Sequence, residues 1–145
     1  MKVLFDTSVL VAALVQGHPV HDRARPWLSR ALAGEIEFLV AAHTLLELFA
    51  VLTRMPTRPR IQPGPALTLI RENVEEPARV VTLGLSDHRT ALRRAADLGL
   101  SGGVIYDLLI AVAADKADID TLLTLNPGDF RRAWPKEGAK RIQVP

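Results

Sequence analysis

Lys2-Val3-Leu4-Phe5-Asp6-Thr7-Ser8-Val9-Leu10 decides the fold class, because an apolar run stops abruptly at a carboxylate and then resumes. Lys2 to Asp6 is apolar up to the aspartate and alternates little, as a buried parallel strand does. Ser8 to Val15 then has the pattern of a helix, with Thr7 or Ser8 as its cap. The same strand-then-helix alternation continues along the chain. Val20 to Ala33 is a helical stretch with Pro26 as a kink or restart, ended by Gly34. Glu37 to Ala41 is a second strand, and Thr44 to Arg54 an apolar helix closed by Met55-Pro56.

Further on, Pro56 to Pro65 holds four prolines and two arginines and is a loop, too short for a domain linker. Pro65 to Val74 is the next expected helix and Arg79 to Leu83 the third strand. Ser86 caps a helix that runs to Leu98 and stops at Gly99. Gly102-Gly103 makes a turn, Val104 to Lys116 a long apolar helix, Thr121 to Leu125 the fourth strand. Asn126-Pro127-Gly128 is a turn, and Arg141 to Val144 a short last strand. A chain of this length and alternation predicts one α/β domain, residues 1–145, with a mostly parallel sheet covered by helices on both faces. Such sheets place their sites beyond the carboxyl ends of the strands.

Composition removes several chemistries. With no cysteine, disulfides, thiolate zinc sites, iron–sulfur clusters and cysteine nucleophiles are excluded. No apolar run approaches the roughly 18 residues of a membrane span, and Asp6 interrupts what would be a leader's apolar region. The expectation is a soluble, cytoplasmic protein. Net charge is only +2, but fourteen arginines against four lysines suit bidentate phosphate contacts. Basic residues cluster at Arg54, Arg58 and Arg60, at Arg89, Arg93 and Arg94, and at Arg131, Arg132, Lys136, Lys140 and Arg141. A solvated surface and a nucleic-acid face both fit that distribution.

Carboxylates stand where a core pattern wants none. Asp6 ends the first strand. Glu47 is the only charge in Thr44-Leu45-Leu46-Glu47-Leu48-Phe49-Ala50-Val51-Leu52, and Asp107 the only one in Val104 to Ala114. An ionised carboxylate in an apolar helix is costly unless compensated, and these runs contain no Lys or Arg. Asp129 follows the fourth strand, with Asn126 beside it to offer a carbonyl oxygen. Oxygen-only donors select hard cations such as Mg²⁺ or Mn²⁺. Structural alternatives exist: Thr44-x-x-Glu47 matches a capping box, Asp6 and Asp129 suit helix starts, and Ser8 suits an N-cap as well as a hydroxyl turned toward the site. Asp107, several residues into an apolar run, is the hardest of the four to explain in that way. His18-x-x-His21 lacks a third close ligand and reads as surface.

These segments together resemble the PIN domain, and within it the VapC-type toxins of toxin–antitoxin pairs. The resemblance rests on Val3 to Leu10, Leu45-Leu46-Glu47, Gly103 to Ala111 and Leu122 to Phe130, in the family's order across nearly the whole chain. It implies a three-layer α/β/α sandwich around a parallel sheet of about five strands. It also implies Mg²⁺- or Mn²⁺-dependent endoribonuclease activity with Asp6, Glu47 and Asp107 as shared acidic residues. Asp129, with Asn126 beside it, fits the closing motif. A cognate antitoxin, an RNA substrate and a homodimer are implied partners. Asp118 stands where relatives often carry glycine. An aspartate-nucleophile phosphatase needs a second acid at Ser8's place. A phospho-acceptor receiver needs an aspartate ending the third strand, where Leu83-Gly84-Leu85 stands. An inactive PIN-fold binding module is the remaining alternative.

Overall fold

The computed structural model describes residues 1–145, apart from the side chain of residue 139. Five strands, β1 (Lys2–Phe5), β2 (Glu37–Ala41), β3 (Arg79–Val81), β4 (Thr121–Leu123) and β5 (Ile142–Gln143), form one sheet in the order β3-β2-β1-β4-β5. Every pairing is parallel, with Val3 opposite both Phe38 and Thr121. The helices are α1 (Thr7–Leu14), α2 (His21–Leu32), α3 (Ala42–Arg54), α4 (Pro63–Ile70), α5 (Leu85–Leu98), α6 (Val104–Ala117), α7 (Pro127–Ala133) and α8 (Gly138–Arg141). A π-helical turn, Arg71–Glu75, extends α4.

Period-two alternation in β1 explains the layering. Val3 and Phe5 point into one core with Val9 and Leu10 of α1, Leu28 of α2, Leu48 and Leu52 of α3, and Ile70 of α4. Leu4 points the other way, into a core with Ile110, Ala111 and Ala114 of α6 and with Phe130 and Trp134. Phe5 and Phe38 meet edge to face with centroids 4.7 Å apart. Helices therefore cover both faces, and the expected α/β/α sandwich is the observed one. Among the described residues no helix is long and apolar enough to cross a membrane.

Several local expectations change. The residue before α1 is Asp6, whose side chain makes no capping bond, so neither Thr7 nor Ser8 is the cap. The capping box at Thr44 and Glu47 does not form: α3 starts after Ala41, and Thr44 Oγ1 is buried without a hydrogen-bond partner. Helix α5 starts after Gly84, one residue before Ser86, because the Asp87 carboxylate accepts the Gly84 N–H at 2.8 Å. Asn126-Pro127-Gly128 is no mere turn. Pro127 opens α7, where its fixed φ suits a first helical position and its missing N–H costs nothing. Asp118 lies at φ 49°, in the left-handed region that glycine favours, which an aspartate side chain tolerates.

From β1 the chain steps outward to β2 and β3, then crosses over the sheet to β4. The direction reverses between β1 and β4, and the crevice at their carboxyl ends is where open α/β sheets carry ligands. Asp6 and Thr124 end those two strands.

Leu4 is fully buried in the sheet's centre. Leu4→Ala is expected to lower unfolding free energy by about 2–5 kcal/mol. Leu67→Ala, on the exposed face of α4, should change it by less than about 0.5 kcal/mol. Urea denaturation distinguishes the two.

Candidate metal centre

Asp6 is 5% exposed. Its backbone N–H donates to Leu123 O at 3.0 Å, extending the β1–β4 ladder past the strand end. Its Oδ2 accepts from Ser8 Oγ at 2.6 Å and from Thr124 Oγ1 at 2.8 Å. Each of those hydroxyls is aimed in turn by a backbone donor: Ser8 Oγ accepts the Leu125 N–H, and Thr124 Oγ1 accepts the Asn126 N–H, both at 3.0 Å. Ser8 thus turns toward the site instead of capping α1. Burial pushes the Asp6 carboxyl above its ordinary value, and the two hydroxyls oppose that rise.

Glu47 lies one turn into α3, and Thr7 Oγ1 donates to its Oε2 at 2.9 Å. Its other oxygen, Oε1, is buried without a hydrogen-bond partner and lies 3.4 Å from His43 Nε2, itself buried and unpartnered. The contact is too long and poorly aligned for a formed hydrogen bond. Burial raises the Glu47 carboxyl, against the Thr7 bond, and the charge of Asp6 adds to the rise. Burial first and His88 second hold His43 below the usual imidazole value.

Asp107, in the first turn of α6, is pushed up to about 6. Partial burial contributes most, followed by the charges of Asp6, Asp129 and Glu47, while Arg132 opposes them. All three other carboxylates therefore raise Asp107. Asp129, in the first turn of α7, is drawn toward Arg132 Nη2 at 2.8 Å. That cation lies outside the apolar runs, in α7. Asn126 precedes α7, exposed, and its side chain makes no capping bond.

The structure thus gathers Asp6, Glu47, Asp107 and Asp129 at the carboxyl edge of the sheet. Among the described residues, though, no group of three His, Asp or Glu side chains is already arranged to hold an ion. Like charges spread apart, and three of the four are occupied by Ser8 and Thr124, by Thr7, and by Arg132. The donor set nonetheless fits a hard divalent ion. It is all oxygen, it carries surplus negative charge, and Glu47 Oε1 is an acceptor left unmet. His18 and His21 are accounted for by backbone bonds, His18 Nδ1 accepting the Val20 N–H and His21 Nδ1 meeting Ala12 O at 2.8 Å. Thr7, Thr124 and His43 were not legible as site residues. Their signals were an Asp-Thr-Ser run after a strand, a Thr closing β4, and the four-residue spacing of His43 and Glu47.

The PIN domain family model matches residues 3–133. The chain belongs to the PIN domain family. Ribonuclease VapC27 of Mycobacterium tuberculosis is 32% identical over 109 residues, covering 75% of this PIN domain and 74% of that protein. Two solved structures share the PIN fold. VapBC2 from Rickettsia felis, bound to a DNA fragment from its promoter, matches with a TM-score of 0.69 at 19% identity, over 99% of this chain and 98% of that one. VapC20 of Mycobacterium tuberculosis, a toxin that cleaves the sarcin–ricin loop, matches with a TM-score of 0.66 at 19% identity, over 83% and 87%.

Because Asp107 is raised in the folded state, ionising it opposes folding. Its contribution is fully present below about pH 4 and is lost as pH rises through about 6. In metal-free buffer Asp107→Asn should gain stability over the parent between pH 4 and pH 7. The gain is about 1 kcal/mol, allowing for solvent screening at a half-buried group. Equal denaturation curves at both pH values would contradict the shared field.

Proposed function

We propose that this PIN domain is a Mg²⁺- or Mn²⁺-dependent endoribonuclease of the VapC type and the toxin of a VapBC-type toxin–antitoxin pair. One observation carries the chemistry: three carboxylates, one just past β1 and the others in α3 and α7, act together on a fourth in α6. Four negative groups from separate elements serve no structural purpose that fewer would not serve better, and a divalent cation resolves their repulsion. The relationship to VapC27 carries the substrate class.

Asp6, Glu47 and Asp107 are the proposed ligands, with Asp129 and Asn126 at the outer edge. When bound, the ion supplies Lewis acidity, polarising the scissile phosphate and lowering the pKa of a water. The chain's own groups prepare that chemistry. Ser8 and Thr124 occupy one oxygen of Asp6, so the other is presented in a fixed direction. Thr7 occupies Oε2 of Glu47 and leaves Oε1 to bind an ion or accept a proton. Arg131 and Arg132 stand at the rim, suited to the RNA backbone. In-line attack by water breaks the bond from phosphorus to the 3′ oxygen, which takes a proton. The products are a 5′-phosphate and a 3′-hydroxyl.

Similarity to a VapBC2 structure supports an antitoxin partner. Exposed Leu46 and Phe49 on α3, and Leu85 and Leu92 on α5, support a homodimer. The inactive binding module is less consistent with a complete carboxylate set.

The test is cleavage of end-labelled tRNA and rRNA fragments by wild type, Asp6→Asn and Asp107→Asn. Wild type should cut with Mg²⁺ or Mn²⁺ and stop in EDTA, and each variant should lose roughly 100-fold or more. Undiminished cutting in chelator would refute the metal reading. Folded wild-type protein that cuts nothing would favour the module.

A further inference from the structure

Asp129 and Arg132 lie three residues apart on one face of α7, and Arg132 Nη2 donates to Asp129 Oδ1 at 2.8 Å. The pair stands at the edge of the carboxylate cluster, and the positive charge of Arg132 reaches Asp107 in α6 and opposes its rise. Arg131 is nearer to Asp129 in sequence, but a spacing of two turns its side chain to another face of the helix.

Both members are open to water, with 60% of the Arg132 side chain and 49% of the Asp129 side chain exposed. An exposed ion pair is weak, so it exchanges partners at little cost. The guanidinium carries five N–H donors, and the bond to Asp129 uses one of them. Asp129 is also a proposed ligand at the outer edge of the metal centre, so one carboxylate has two claimants, Arg132 and a divalent ion. A guanidinium is repelled by a divalent cation, and its fork of donors matches two oxygens of a phosphate. RNA brings such a phosphate to the same edge.

We propose that Arg132 is a catalytic residue of the cleavage step: held on Asp129 until substrate arrives, it passes to the non-bridging oxygens of the scissile phosphate as Asp129 turns to an ion. No proton moves in this exchange, because the guanidinium stays charged throughout. On the phosphate it opposes the negative charge that builds on those oxygens as water attacks. Ion and RNA then favour each other's binding, since each removes a partner that the other must displace. This role rests on the metal-dependent nuclease reading and gives Arg132 a place at the reacting phosphate.

The experiment measures Mn²⁺ affinity of the full chain by titration calorimetry without RNA, and kcat on tRNA and rRNA fragments at saturating Mg²⁺. Arg132→Ala should bind Mn²⁺ roughly 3- to 5-fold more tightly than wild type and lose roughly 100-fold in kcat. Arg132→Lys should keep Mn²⁺ affinity within about 2-fold of wild type and recover only part of kcat, since an ammonium lacks the fork. Arg131→Ala removes the same charge from the same helix but leaves the pair, so its Mn²⁺ affinity should stay within about 2-fold. Arg71→Ala breaks another exposed pair, with Glu76 at 3.4 Å beside the first core, and should change neither quantity. Equal tightening by Arg131→Ala, or none by Arg132→Ala, overturns the hold on Asp129. A kcat for Arg132→Ala within about 3-fold of wild type overturns the phosphate contact and leaves the nuclease reading standing. Wild type that cuts no RNA sinks that reading and this role with it.

Discussion

Burying a carboxylate at the end of a central strand costs several kcal/mol unless its oxygens are met, and Asp6 is met by two hydroxyls from opposite ends of the chain. Ser8 comes from the first turn of α1 and Thr124 from the end of β4. Both hydroxyls are locked by backbone donors of the β4–α7 connection. One carboxylate therefore ties β1, α1, β4 and the entry to α7 into a single polar junction, at the point where the sheet reverses its winding. The placement of Asp129 and Asn126 follows from that junction. So does the angle at which α7 delivers Phe130 and Trp134 to the second core.

The same logic governs Glu47 and Asp107 with less compensation. Glu47 has Thr7 for one oxygen and nothing for the other. Asp107 has a field of like charges, only weakly offset by Arg132. A gradient results, from the well-satisfied Asp6 through the half-satisfied Glu47 to the strained Asp107. Sites that bind cations carry this kind of unmet negative charge, because fully paired carboxylates have nothing left to offer an ion.

Strand-then-helix alternation was legible because central parallel strands are apolar on both sides, and Val3-Leu4-Phe5 and Phe38-Leu39-Val40 show it. Asp6, Glu47 and Asp107 were legible for the opposite reason: each violates an apolar pattern. What escaped was which distant partner each of these groups meets. Ser8 reads as a cap or as a hydroxyl turned toward the site, and Leu125, 117 residues away, settles it by donating to its oxygen. Thr44-x-x-Glu47 satisfies a local rule, yet Thr7, 40 residues from Glu47, takes the carboxylate. Asn126-Pro127 reads as a turn because Pro and Asn dominate turns, and the helix behind it is set by Phe130 entering the core. Local propensity lost wherever a distant group offered a better partner.

Glu47 is where these arguments converge. Its two oxygens lie in different surroundings: Oε2 is fixed by Thr7, and Oε1 lies between the field of Asp6 and the imidazole of His43. Helix geometry sets His43 one turn from Glu47, so the imidazole cannot leave while α3 is intact.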